Sequence, residues 1–366
     1  MCFEEENFIT QPNFFYKETI SNKSDCFSNC NTFDYFQTKD NDIILITPCI
    51  EPVTYINEEN EEDNEYEIHL INIKTKKIIQ KIKGHKKRIL SVRIFPNPKT
   101  KKDFLISVDI GNNIIIWDIE NNFNKIFEKD FQYEPYAFIY STLLIFGEKN
   151  TWIVASSIKE KNKTLIVDIN KRDYYIEINE SENLPVYCLC YWYNKDTDNE
   201  NDLHKIIQIG LKKILITKFP SKKTYYLYET DDKYMYNSGG LVFKNGNDDF
   251  LAVSSCSGLI LIINLMMKNI IKKIEIENVH IFSFVKWNEK YLLVNNMRKS
   301  EIIIIDMKNI FKIVGKSYLP EMEYGCFMKK IRHPIYGECI LISGKKWKLN
   351  LFIIRGLLRE NDDDEY

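Results

Sequence analysis

GHKKRILSVRIFPNP (84–98), FLISV (104–108) and NNIIIWDIEN (112–121) are the stretches that decide the fold. Each holds a short run of alternating or wholly apolar, β-branched-rich residues, and Asn, Pro, Lys, Asp and Gly punctuate the joins. Runs of this length are strands rather than helices, and tight polar joins make neighbouring strands antiparallel. A Gly84-His85 pair opens the unit and a Trp117-Asp118 pair closes it.

Working outward, the same closing strand recurs with an Asp or Asn at its end. It reads LINIKTKK around Asn72, IIIWDIEN around Asp118, TLIVDINK around Asp168, LIINLMM around Asn264 and IIIIDMKN around Asp306. A version without the marker, KILITKFPSKK (213–223), falls midway through the longest gap. The repeat interval is then about 40–50 residues, the spacing of four-stranded propeller blades. Runs such as IIII (302–305) suit strands buried on both faces by neighbouring sheets.

Gly-His, three β runs and Trp-Asp at that period resemble a WD repeat, and the resemblance extends in weaker copies over nearly the whole chain. It implies an all-β, seven-bladed WD-repeat β-propeller. Six blades follow from the third-strand runs. CFMKKI, CILISG and LNLFII near the C-terminus supply three strands of a seventh. The missing fourth is expected from NFFYKETI (13–20), closing the ring and removing an open sheet edge. The expected organisation is an N-terminal arm (1–25), blades at about 26–83, 84–131, 132–179, 180–230, 231–277, 278–319 and 320–356, and an acidic tail (357–366). In the family a His, a strand Ser or Thr, a turn Asp and the Trp form a hydrogen-bond network. His85, Ser107 and Trp117 match three places and Asp118 completes the Trp-Asp pair. Gly111 stands where the turn Asp is expected, with Asp109 two residues earlier, so an incomplete or rearranged network is expected.

Composition bounds the function. The chain has 366 residues, 44% hydrophobic and 28% charged, with a formal net charge of -2, which gives no overall pull toward nucleic acid or membrane. The acidic N-terminus lacks a secretory pattern, and the apolar runs are too short to span a bilayer as helices. Nine cysteines without secretory context read as reduced thiols in a cytoplasmic or nuclear setting. The close pairs Cys26/Cys30 and Cys188/Cys190 do not have zinc-site spacing, so no metal is expected and no cofactor is called for. His85 with Asp109 reads as structural rather than catalytic. The chain has no nucleophile elbow, Walker loop or HExxH, and no catalytic residues are assigned.

The family geometry puts the loops between second and third strands, and between blades, on one top face. Basic residues gather there: Lys86, Lys87 and Arg88 before blade two, Arg298 and Lys299 in blade six, and Lys345, Lys346, Trp347 and Lys348 in blade seven. Lys159, Lys161, Lys163, Lys212 and Lys213 add to this rim, and an acidic stretch from Glu58 to Glu67 falls in the corresponding loop of blade one. These features point to a non-catalytic scaffold that holds other proteins, with an acidic or phosphorylated segment received on the rim. The alternative is an anionic-ligand binder for phosphoinositide or RNA. Ile354-Arg355-Gly356 lacks the paired arginines of propeller lipid binders, and only 345–348 interleaves lysine with an aromatic residue.

Overall fold

The computed structural model describes residues 13–21, 33–49, 65–131, 142–147, 150–156, 163–171, 175–179, 186–194, 203–210, 212–219, 221, 223–229, 239–255, 258–276, 281–319, 327–344 and 348–355. They form seven four-stranded antiparallel sheets and no helix. Strand β1 (Asn13–Ser21) comes first in the chain and joins the last sheet. Blade 1 is β2 (Asp34–Gln37), β3 (Ile43–Pro48), β4 (Tyr66–Asn72) and β5 (Lys77–His85). Blade 2 is β6 (Ile89–Pro96), β7 (Asp103–Asp109), β8 (Asn113–Asp118) and β9 (Asn124–Asp130). Blade 3 is β10 (Thr142–Phe146), β11 (Thr151–Ser156), β12 (Lys163–Asp168) and β13 (Tyr175–Asn179). Blade 4 is β14 (Val186–Tyr193), β15 (His204–Gly210), β16 (Lys213–Phe219) and β17 (Thr224–Glu229). Blade 5 is β18 (Gly239–Asn245), β19 (Asp248–Ser254), β20 (Leu259–Asn264) and β21 (Asn269–Glu275). Blade 6 is β22 (Ile281–Lys286), β23 (Tyr291–Asn296), β24 (Glu301–Asp306) and β25 (Lys312–Tyr318). Blade 7 is β26 (Met328–His333), β27 (Gly337–Gly344), β28 (Lys348–Arg355) and, from the other end of the chain, β1.

Why the third strands are apolar throughout follows from the packing. Successive side chains of a strand point to opposite faces, and each blade is covered on both. In β24, Ile303 and Ile305 pack into a cluster shared with blade 5, while Ile302 and Ile304 pack into one shared with blade 7. In β8, Ile114 and Ile116 face blade 3 while Ile115 and Trp117 face blade 1. Seven such clusters occur, one between each neighbouring pair of blades around the ring. Each buried isoleucine contributes about 1.5–3 kcal/mol of transfer free energy, so the core is seven wedges rather than one centre.

The Asp or Asn ending each marked strand has a local task. Its Oδ1 accepts backbone N–H groups of the turn into the outermost strand: Asn72 from Lys74 and Thr75, Asn264 from Met266 and Met267, Asp306 from Lys308 and Asn309. Asp118 accepts from Asn121 and Asp168 from Asn170 in the same way. Such Asx turns supply the acceptor that the reversing backbone lacks. Blade 7 needs no such turn. Its outermost strand is β1, which pairs antiparallel to β28 from Asn13 opposite Arg355 to Ser21 opposite Leu349. Ile20 of β1 is buried in the wedge between blades 7 and 1, with Phe33, Leu349 and Leu351.

Candidate functional site

Antiparallel order fixes which loops share a face. The links between blades, and those between second and third strands of a blade, emerge together on the top. The links between first and second strands, and between third and outermost strands, emerge below.

His85 ends β5 at the top and reaches into blade 2. Its Nδ1 lies 3.0 Å from Asp109 Oδ2, and its Nε2 lies 2.6 Å from Ser107 Oγ. Trp117 Nε1 donates to the same Ser107 Oγ at 2.8 Å. One assignment of protons satisfies every member: indole N–H to serine oxygen, serine O–H to Nε2, and Nδ1–H to the carboxylate. The aspartate is Asp109, at the end of β7, and not a residue at position 111. Its second oxygen accepts the N–H groups of Gly111 (2.8 Å) and Asn113 (3.0 Å), so a single carboxylate both caps the turn and orients the imidazole. A Cβ at Gly111 would lie 2.5 Å from Lys87 Cδ, the far end of an exposed side chain that is free to swing aside. Asp118 does not join the network; its carboxylate holds Asn121 at the bottom turn.

The Ser107–His85–Asp109 chain has the connectivity of a hydrolytic triad. Its placement argues against that use. Ser107 is fully buried, His85 and Asp109 nearly so, and the serine oxygen is already engaged by Trp117. An acyl group has no route to Ser107 Oγ, and the arrangement pins the β5–β6 crossing to blade 2.

The basic rim is distributed unevenly. Lys86 and Lys87 are exposed between β5 and β6, and Arg298 and Lys299 are exposed between β23 and β24. All four lack an ion-pair partner among the described residues. The two groups share the top face, but blades 1 and 7 stand between them on the shorter way round, so they do not form one patch. Lys345, Lys346 and Trp347 lie outside the described residues, as do Lys159 and Lys161; Lys163 and Lys348 are placed only as backbone in β12 and β28. Lys213 is not a rim charge. It is buried at the start of β16, 3.2 Å from Glu229 and over the Tyr226 ring. Nor do all the blade-one acids belong to a free loop. Glu67 is buried within β4, held by Lys81 at 2.9 Å and His69 at 3.1 Å, and Glu65 pairs with Lys83. Burial pushes the Glu67 carboxyl up, but the hydrogen bonds and charges of Lys81 and His69 outweigh it and hold it below the usual range. Residues 58–64 lie outside the described set.

Two further groupings had no sequence signal. On the innermost strands, Asp34 of β2 is buried, takes the N–H groups of Tyr35 and Ile94, and is ion-paired with Lys329 of β26, linking blades 7, 1 and 2. Burial lowers the Lys329 ammonium although Asp34 pulls it up. Near the bottom of blades 3 and 4, His204 stands among Trp152, Tyr191 and Tyr193, with Tyr191 Oη 2.7 Å from its Nδ1. Burial, and then the charge of Lys99, lowers the His204 imidazole. Burial, and then the proximity of Tyr193, raises the Tyr191 phenol. The first site depends on which strands become neighbours in the ring, and the second on the β14–β15 register together with the packing of blade 3 against blade 4. Among the described residues, no cluster of three or more His, Cys, Asp or Glu is placed to hold a metal ion.

The fold and these sites define a seven-bladed β-propeller with a buried polar latch in its second blade. Among solved structures it is similar to the Cps50 (Swd1) β-propeller domain of Myceliophteria thermophila, at 12% identity and a TM-score of 0.63, covering 93% of this chain and 99% of that one. It is also similar to BBS1N, solved in complex with ARL6DN, at 11% identity and a TM-score of 0.61, covering 93% of this chain and 96% of that one. No protein-family model and no curated protein sequence matches the chain. No helix among the described residues is long and apolar enough to cross a membrane.

Proposed function

We propose that this propeller is a non-catalytic WD-repeat-type scaffold that holds other proteins inside an intracellular complex. The observation that carries the reading is the contrast between its interior and its top face. The His85 latch and the seven apolar wedges make a rigid ring, whereas Lys86, Lys87, Arg298 and Lys299 are exposed with no counter-charge among the described residues. Rigid frames with exposed charged loops suit recognition, because little ordering entropy is lost when a partner docks. Similarity to a domain solved in complex with another protein supports the reading at the level of fold. The partner segment is acidic or phosphorylated, matching the rim.

The test is recovery of partners with the tagged chain from its native cells, comparing wild type with a variant carrying Glu at Lys86, Lys87, Arg298 and Lys299. Loss of a defined protein complex in the variant, with an unchanged unfolding midpoint, supports the scaffold reading. Recovery of RNA or lipid in place of protein would overturn it.

A further inference from the structure

Among the described residues, the outermost strand of each blade is paired on one side only, and its other side is an edge of backbone N–H and C=O groups. Proteins protect such edges with charges, especially lysine, and with bulges that twist the edge away. Six edges here carry a charge ahead of the strand's last residue. Examples are Lys81 in β5, Lys129 in β9, Glu177 in β13, Lys272 in β21, Lys316 in β25 and Lys17 in β1. Four of them, β5, β9, β21 and β25, also bulge in the same place, just past the turn, leaving Ile79, Ile126, Ile271 and Val314 without an opposite partner.

β17 has neither protection over most of its length. It reads TYYLYE, uncharged from Thr224 to Tyr228, with Glu229 at its far end taken by Lys213. Its bulge is displaced to Leu227, so Thr224, Tyr225 and Tyr226 run in regular register against Thr217, Ile216 and Leu215. Tyr226 is 56% exposed. The surroundings are basic: Lys268 lies over the Tyr225 ring and Lys273 over Tyr228, neither with a carboxylate partner among the described residues, and Lys223 is exposed at the strand's start.

We propose that the free edge of β17 is a docking site for an extended, acidic segment of a protein partner, added to blade 4 as a fifth strand. Backbone hydrogen bonds along Thr224–Tyr226 supply the pairing, Tyr226 supplies an aromatic anchor, and Lys223, Lys268 and Lys273 select acidic side chains. The proposal rests on the scaffold reading but uses a surface on the side of the ring, away from the top rim.

The experiment measures amide hydrogen exchange on the full chain with a short capped peptide alternating Glu and Val, and with its Lys-for-Glu counterpart. The expected result is new protection confined to β17 with the Glu peptide, and at least about tenfold weaker binding by Y226K, which adds the charge other edges already carry. The charge-reversed rim variant should bind the peptide as wild type does, so loss of cellular partners by that variant alone concerns the rim and not this site. No protection of β17 at about 1 mM peptide, equal binding of both peptides, or unaltered binding by a folded Y226K would each overturn the proposal. β17 protection that grows with protein concentration in the absence of peptide would assign the edge to a second copy of the chain and also overturn it.

Discussion

Ile310 should be a liability, and replacing it with Asn should make the protein more stable. The turn from β24 to β25 places two consecutive residues in the left-handed region, Ile310 at φ 48 and Phe311 at φ 53. The turn from β8 to β9 does the same with Asn122 (φ 55) and Phe123 (φ 56). Both phenylalanines are buried, which fixes the turn, but the residues before them differ in kind. A β-branched side chain in this region is a genuine outlier, and the conformation costs an L-residue about 1–2 kcal/mol, less for Asn. Ile310 is 69% exposed, so it recovers only about a third of an isoleucine's transfer energy, about 0.5–1 kcal/mol. I310N should therefore stabilise by about 0.5–1 kcal/mol. The mirror change N122I should destabilise by about 1–2 kcal/mol, since it adds the strain and removes an exposed hydrogen bond from Gln80. Urea unfolding followed by tryptophan fluorescence and far-UV circular dichroism gives both values if the two probes coincide. A lower midpoint for I310N, or an unchanged one for N122I, would refute the reasoning.

S107A should cost about 2–4 kcal/mol in the same urea assay, because it strands the Trp117 indole N–H and His85 Nε2 in the interior; a loss below about 0.5 kcal/mol would mean that water replaces the hydroxyl. K329M should cost about 1–3 kcal/mol, discounted for the lysine's partial exposure, and adding D34N should restore part of it. His204 supplies a pH dependence: its imidazole is held below 6.5, so the unfolded chain binds the proton more readily and stability falls as pH drops below about 6.5. H204Q should flatten that decline, seen as a smaller difference between urea midpoints at about pH 7.5 and about pH 5.5.

The ring was legible because its two governing signals are local. Ile302–Ile305 announce a strand covered on both faces, and the Asp or Asn at 72, 118, 168, 264 and 306 announces the turn that follows. The marker fails at β16 and β28 for different reasons. The β16–β17 join, which contains Pro220 and Ser221, lacks the residue, while β28 is followed by no turn within its sheet. The sequence also carries a finer repeat: Asp118-x-x-Asn121-x-Phe123 and Asp306-x-x-Asn309-x-Phe311 specify the same turn, down to the Asn carbonyl accepting from the residue after Phe. The latch aspartate is Asp109, two residues before the place the family pattern gives it, because β7 ends there and its carboxylate also caps the turn. Spacing also made one rim of cations that the ring separates, and counted Lys213 and Glu67 as free although each sits buried beside a partner. The Asp34–Lys329 pair joins blades 1 and 7, so only the closed ring creates it, whereas the His204 cluster adds Trp152 of blade 3 to a hairpin of blade 4.

The seam between β1 and β28 joins the first and last described strands of the chain, more than three hundred residues apart. On a ribosome adding about 5–20 residues per second, β1 would wait roughly 15–70 s for its partner to be made. Throughout that interval six blades can stack, yet the faces that will meet as the wedge between blades 7 and 1 stay open to water. Birth order thus makes the joint that holds the circle together also its most vulnerable moment. A cell producing this protein would have to shelter an unfinished circle until its final strand arrives.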